Sequence, residues 1–128
     1  TVTKLLWPIN SIPATMTICS VSRFTEAGTG RILSAQSSPT QPTNFLHGHF
    51  GRARGVAHYN VWKTSIHNKG ISTNWLVICG TSGGAWPQNI IMDQFGIGTD
   101  SAATHAVSQL NVNYGDRSRF ELHSVYIW

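Results

Sequence analysis

The chain has 128 residues and a mass of 14.0 kDa, one domain's worth, and no composition shift or repeat divides it. Hydrophobic residues make up 41%, so a packed core is expected over residues 1–128 and a disordered chain is excluded. Charged residues make up only 11%, with Ser, Thr, Asn and Gly in their place, and the net charge is +4. A free cytosolic enzyme carries more charge to stay soluble, so the composition points to a secreted or lumenal protein, or to a subunit packed into a larger complex. No apolar run reaches the roughly 18 residues that a membrane-spanning helix requires. The chain opens without Met and without a leader pattern, the expectation for a processed chain or a piece of a longer one.

Apolar residues come in short runs bounded by Gly, Pro, Asn and Ser, the pattern of strands joined by turns. The first predicted strand is Met16–Phe24, after the break at Pro13. Glu26–Gly30 reads as a turn and Arg31–Ala35 as a second strand. Residues 36–43, with Pro39 and Pro42, read as a loop, and Asn44–Phe50 as a strand. Gly51–Gly55 reads as a hairpin turn, and Val56–Ile66 as a long, partly exposed strand. Asn74–Gly80 is apolar on both faces, which predicts a place in the middle of a sheet. Thr81–Pro87 is a Gly-rich loop presenting Trp86. Residues 88–97 and 105–113 give two further strands, and Phe120–Ile127 the last. About eight strands and no helix predict an antiparallel β-sandwich. Its core is predicted from Ile18, Val21, Ile32, Leu46, Val56, Trp75, Val77, Ile78, Leu110, Val125 and Ile127.

Three segments carry a likeness to a known family. Met16–Phe24 is similar to an opening strand of the form F-T-I-x-x-x-x-R-Y. Thr73–Thr81 is similar to a central W-x-x-V strand, and Phe120–Trp128 to a closing I-x-x-V-x-I-W/Y strand. Over residues 14–128 the chain resembles the concanavalin A-like lectin/glucanase superfamily in its laminin-G-like branch, and Phe45–Tyr59 looks like a segment of its protist members. The resemblance implies a jelly-roll sandwich that binds a glycan or a protein surface. Such domains extend further at both ends, which implies that terminal strands are missing here or are supplied by a neighbour. The motifs consist of strand residues, so they specify a fold better than an activity.

Each candidate chemistry has a plainer structural alternative. Glycosidases need two carboxylates flanking one sugar bond. The five acids, Glu26, Asp93, Asp100, Asp116 and Glu121, show no such spacing, so no enzyme is expected. Asp93 and Asp100, with Asn89 or Asn113, supply too few acids for calcium and read as polar turn residues. His47 and His49 lie two apart and face one side of a strand. With His58 across the hairpin they would form a three-histidine set, but an exposed strand lined with imidazoles is the favoured alternative, and neither metal nor cofactor is predicted. Cys19 and Cys79 lie in separate strands. Two buried thiols are favoured over a disulfide, since spacing in sequence cannot show a Cα separation. Arg52, Arg54, Lys63 and Lys69 make a modest basic cluster with no nucleic-acid motif around it, so a nucleic-acid partner is not expected. An exposed aromatic ring can stack on a sugar or anchor a protein. The predicted ligand-binding residues are therefore Trp86, Asn89, Arg52, Arg54, Tyr59 and Trp62. The function predicted is a non-catalytic lectin-like module. The alternative is a structural accessory subunit whose charge-poor surface is buried in an assembly.

Overall fold

A computed structural model describes residues 5–26, 30–38, 41–65, 73–83, 89–99, 107–113 and 118–128. Ten strands lie among them: β1 (Leu5–Leu6), β2 (Thr17–Phe24), β3 (Arg31–Ser38), β4 (Gln41–Phe50), β5 (Ala53–Tyr59), β6 (Leu76–Thr81), β7 (Ile90–Met92), β8 (Phe95–Gly96), β9 (Gln109–Val112) and β10 (Phe120–Ile127). They form two antiparallel sheets of five, ordered β1-β9-β3-β4-β5 and β10-β2-β6-β7-β8. The all-β sandwich predicted from the sequence is thus present, and no helix occurs among the described residues.

One core lies between the sheets. From the second sheet β2 contributes Ile18 and Phe24, β6 Leu76 and Ile78, and β7 Ile90. The first sheet answers with Ile32, Leu33, Ala35, Phe45, Ala57, Tyr59, Leu110 and Val112. Alternation is clean along β2, where Ile18, Ser20, Ser22 and Phe24 point inward and Thr17, Cys19, Val21 and Arg23 point outward. At Gly80 the backbone of β6 lies tight against side chains of the core. A Cβ there would collide with the Tyr59 hydroxyl and the Ile90 side chain, so only glycine fits.

β6 is the middle strand of its sheet, as predicted, although its outer face reaches solvent. Val77 and the flanking Trp75 are exposed. Both were expected in the core, and Val21, also expected there, is a half-buried outer-face residue. The predicted strand Val56–Ile66 stops at Tyr59, because Asn60 adopts a left-handed φ of 65° and turns the chain back. The predicted strand over 88–97 is a hairpin. Asp93 and Gln94 both have positive φ, 48° and 78°, which makes a two-residue turn of the I′ type between β7 and β8. The predicted loop over 36–43 is largely strand, with β3 running to Ser38 and β4 beginning at Gln41.

Cys19 and Cys79 stand directly opposite on the paired strands β2 and β6 and are joined by a disulfide, with Cα atoms 4.0 Å apart. This corrects the expectation of free thiols. Both residues point to the outer face, where the register brings them side by side.

Candidate functional site

Two features of this sandwich carry chemistry: a polar seam between the sheets and an apolar face outside them.

The seam is built by β4 and β5. His47 and His49 point inward from β4 and are fully buried, not displayed on an exposed strand. His47 Nε2 lies 3.3 Å from the Ile78 carbonyl, and Nδ1 lies 2.6 Å from the Tyr59 hydroxyl. A carbonyl can only accept, so Nε2 carries the proton and Nδ1 accepts the Tyr59 O–H. Burial lowers the His47 pKa to about 4, against a small opposing effect of the Ile78 bond. The same burial pushes the Tyr59 hydroxyl well above its usual range. His49 packs edge-on against Phe24, with its Nδ1 3.3 Å from Ser22 Oγ. Burial, then the nearby Arg54 and His47, lowers its pKa to about 3. Its Nε2 is buried with no hydrogen-bond partner.

Arg54 closes one end of the seam. From β5 it reaches across to the second sheet, where it forms a 2.6 Å ion pair with Asp93 and donates to the Trp75 carbonyl. Asp93 is held in turn by the Val77 N–H, which donates to its Oδ1. Ser22 and His49 are a nucleophile and a base in contact, yet both are sealed from solvent. The seam therefore ties the sheets together, and its described side chains Ser22, His47, His49 and Tyr59 are closed to solvent.

The predicted site residues do not come together. Tyr59 was expected exposed beside Trp62 and is instead fully buried, stacked on Phe45. Arg54 is buried in its ion pair, and Asn89 is buried, with its carbonyl accepting from the Thr81 N–H. Arg52 is exposed on the β4–β5 turn. Trp62 is half-buried, its ring edge-on to His58. Trp86 lies outside the described residues, as do Lys69, Asp100 and Asp116. The basic cluster is dispersed, because Arg54 and Lys63 are both buried.

The three-histidine set is also separated. His58 pairs with Leu46 on the outward side of the first sheet, away from His47 and His49, and bonds to the Asn44 carbonyl. Among the described residues no three of His, Cys, Asp and Glu gather at one point. The described acids Glu26, Asp93 and Glu121 each pair with an arginine, namely Arg119, Arg54 and Arg23.

The second feature is the outer face of the second sheet. Register places Tyr126, Cys19, Cys79 and Ile91 in one row across β10, β2, β6 and β7. Ser124, Val21 and Val77 form the next row. Trp75 lies beyond it with the Arg23 guanidinium 4.9 Å over its ring, and Trp128 continues the line of Tyr126. Fractional exposures are 42% for Trp75, 51% for Val77, 40% for Ile91, 63% for Tyr126 and 67% for Trp128. With aromatic side chains presenting about 200 Å² each, these five residues leave roughly 500 Å² of apolar surface in contact with water, within the range of functional patches on monomers. Arg23 and Glu121, paired across β2 and β10 beside these rows, neutralise each other at 2.8 Å, and Asp93 at the β7 end is paired with Arg54. Sequence reasoning missed this face by assigning Trp75 and Val77 to the core. Its signal was the two-sided apolarity of Asn74–Gly80.

Comparison with family models, curated proteins and solved structures finds no match to this chain.

Proposed function

We propose that the chain is a non-catalytic, lectin-like binding module that docks a glycan or a protein surface on the outer face of the β10-β2-β6-β7-β8 sheet. The observation that carries this reading is the neutral face of Trp75, Val77, Ile91, Tyr126 and Trp128 around the Cys19–Cys79 bridge. Isolated exposed apolar residues are ordinary, but a contiguous patch on a sheet face marks an interaction surface. Tyr and Trp supply flat contact area with a polar handle, suited both to the apolar face of a sugar and to a protein. The resemblance in β2, β6 and β10 supports a concanavalin A-like jelly roll as the scaffold. The disulfide supports a secreted or lumenal setting, where such bonds persist.

The test is a titration against a panel of neutral and anionic oligosaccharides, and against proteins of the native source, followed by backbone amide NMR. Ligands should move the Val77, Ile91 and Tyr126 resonances, and Trp75→Ala should weaken binding without changing the fold. Binding that perturbs only the Arg52 turn, or survives Trp75→Ala and Tyr126→Ala unchanged, would sink the assignment.

A second reading is a structural subunit packed into a larger assembly. The low charge content favours it, and so does the unshielded apolar face. Co-purification in a complex of fixed composition would separate it from a free module.

A further inference from the structure

The sandwich has four sheet edges, and among the described residues they are not equally protected. β1 and β8 are two residues each, too short to template another strand. The β5 edge is covered by its own chain, through Tyr59 N–H to the Val61 carbonyl, Lys63 N–H to the Ala57 carbonyl, and Ala57 N–H to Thr64 Oγ1. β10 differs. It has eight residues, pairs only with β2, and has no described partner on its other side.

The direction of its peptide groups follows from the register. Trp128 and Thr17 exchange both backbone hydrogen bonds, at 2.9 and 3.1 Å. Alternation along an antiparallel ladder then turns Tyr126 and Ser124 toward β2, and points the N–H and C=O of Val125 and Ile127 outward. Natural edges are blunted with Lys, Pro or bulges. β10 has neither Lys nor Pro, its acid Glu121 is taken by Arg23, and its one irregularity lies between Leu122 and Ser124. The stretch Ser124–Ile127 remains an unbroken template. Its most exposed side chain, Tyr126, and the neighbouring Trp128 flank it on one face.

We propose that two copies of this chain associate side by side through β10, antiparallel about a twofold axis, to give one continuous ten-stranded sheet. The occupant is a second copy because the open stretch is self-complementary. Setting Val125 of one copy against Ile127 of the other satisfies all four outward peptides with four backbone hydrogen bonds. The same register brings Tyr126 against Tyr126 at the axis in a non-hydrogen-bonded pair, the arrangement in which facing side chains approach most closely and aromatic pairs stabilise a sheet. An isologous contact meets its own charge at the axis, and this stretch carries none. The inference does not depend on which ligand the sheet face takes; it would place two such faces side by side in one plane.

The test is sedimentation of the full chain over a wide concentration range. The wild type should reach twice 14.0 kDa. Tyr126→Lys sets two cations across the axis and should weaken the dimer by about tenfold or more. Tyr126→Glu should do the same, and mixing the two variants should restore association, because opposite charges then meet. Circular dichroism of each variant controls for folding, and slow amide exchange at Val125 and Ile127 should appear only in the associated state. A wild type that stays monomeric overturns the proposal. So does a dimer indifferent to Tyr126→Lys, or a loss that mixing does not repair. Loss with rescue establishes it.

Discussion

Acid should unfold this protein through two histidines. In the unfolded chain an imidazole takes up its proton near pH 6.5, whereas burial lowers His47 to about 4 and His49 to about 3. Between those limits the unfolded state binds protons that the folded state refuses, so stability rises with pH across the window. The contribution is complete above the unfolded value and is lost as pH falls toward the folded ones. At pH 5 each histidine withdraws about 2 kcal/mol, and the pair about 4 kcal/mol. Domains of this size are stable by only about 5–15 kcal/mol, so the loss is a large fraction of the whole. Urea unfolding followed by tryptophan fluorescence at pH 7.5, 6 and 5 measures it, and above pH 5 carboxylate protonation contributes little. The slope should approach about 2.7 kcal/mol per pH unit near pH 5, as two protons are taken up on unfolding. His49→Gln should halve the loss. Stability that is level from pH 7.5 to 5, or a loss that persists after both histidines are replaced, would refute a neutral, sealed seam.

Other consequences follow from the same geometry. Reducing the Cys19–Cys79 bridge, or replacing both cysteines with Ser, frees a loop of 60 residues and should cost about 4 kcal/mol by the chain-entropy relation, read as a lower urea midpoint. Gly80→Ala should destabilise by about 1–3 kcal/mol through overpacking, and Tyr59→Phe in the same chain should return part of it by removing the hydroxyl that the new Cβ meets. Trp75→Ala should change stability by less than about 1 kcal/mol in thermal melts. Ile78→Ala, on the inner side of the same strand, should cost about 2–5 kcal/mol.

The strands were more legible than the faces they present. β10 occupies the predicted residues, and β2 begins one residue late, because both are bounded by breaks and rich in β-formers. Val56–Ile66 was overextended because Val61, Trp62 and Ile66 continue a strand-like composition past Asn60. That residue's left-handed φ is available to many asparagines and is not written in the pattern. The β7–β8 hairpin was hidden because Asp-Gln is not a customary turn pair. Its geometry depends on Asp93 being held by Arg54 and Val77, contacts distant in sequence. His47 and His49 were correctly placed on one strand face and wrongly placed in solvent. An imidazole reads as polar until Tyr59 and the Ile78 carbonyl, 12 and 31 residues away, are found to satisfy His47. Arg54 and Tyr59 were misassigned to a binding surface for the same reason: composition registers a side chain's polarity but not its partner.

The residues whose placement departs from the sequence pattern do so in one direction, which bears on function. Polar residues expected outside, His47, His49, Tyr59 and Arg54, are inside, and apolar residues expected inside, Trp75 and Val77, are outside. Burying polar groups costs stability unless each finds a partner, and the unpartnered Nε2 of His49 shows one that does not. Leaving roughly 500 Å² of apolar surface in water forgoes roughly 12 kcal/mol of burial at about 25 cal/mol per Å². A fold selected for stability alone would exchange these placements. The cross-strand disulfide offsets part of the loss and sits in the middle of the exposed face, where it ties β2 to β6 without filling the core. It cross-links two strands of the exposed face, and a constrained apolar surface is what a docking partner meets at a low ordering cost.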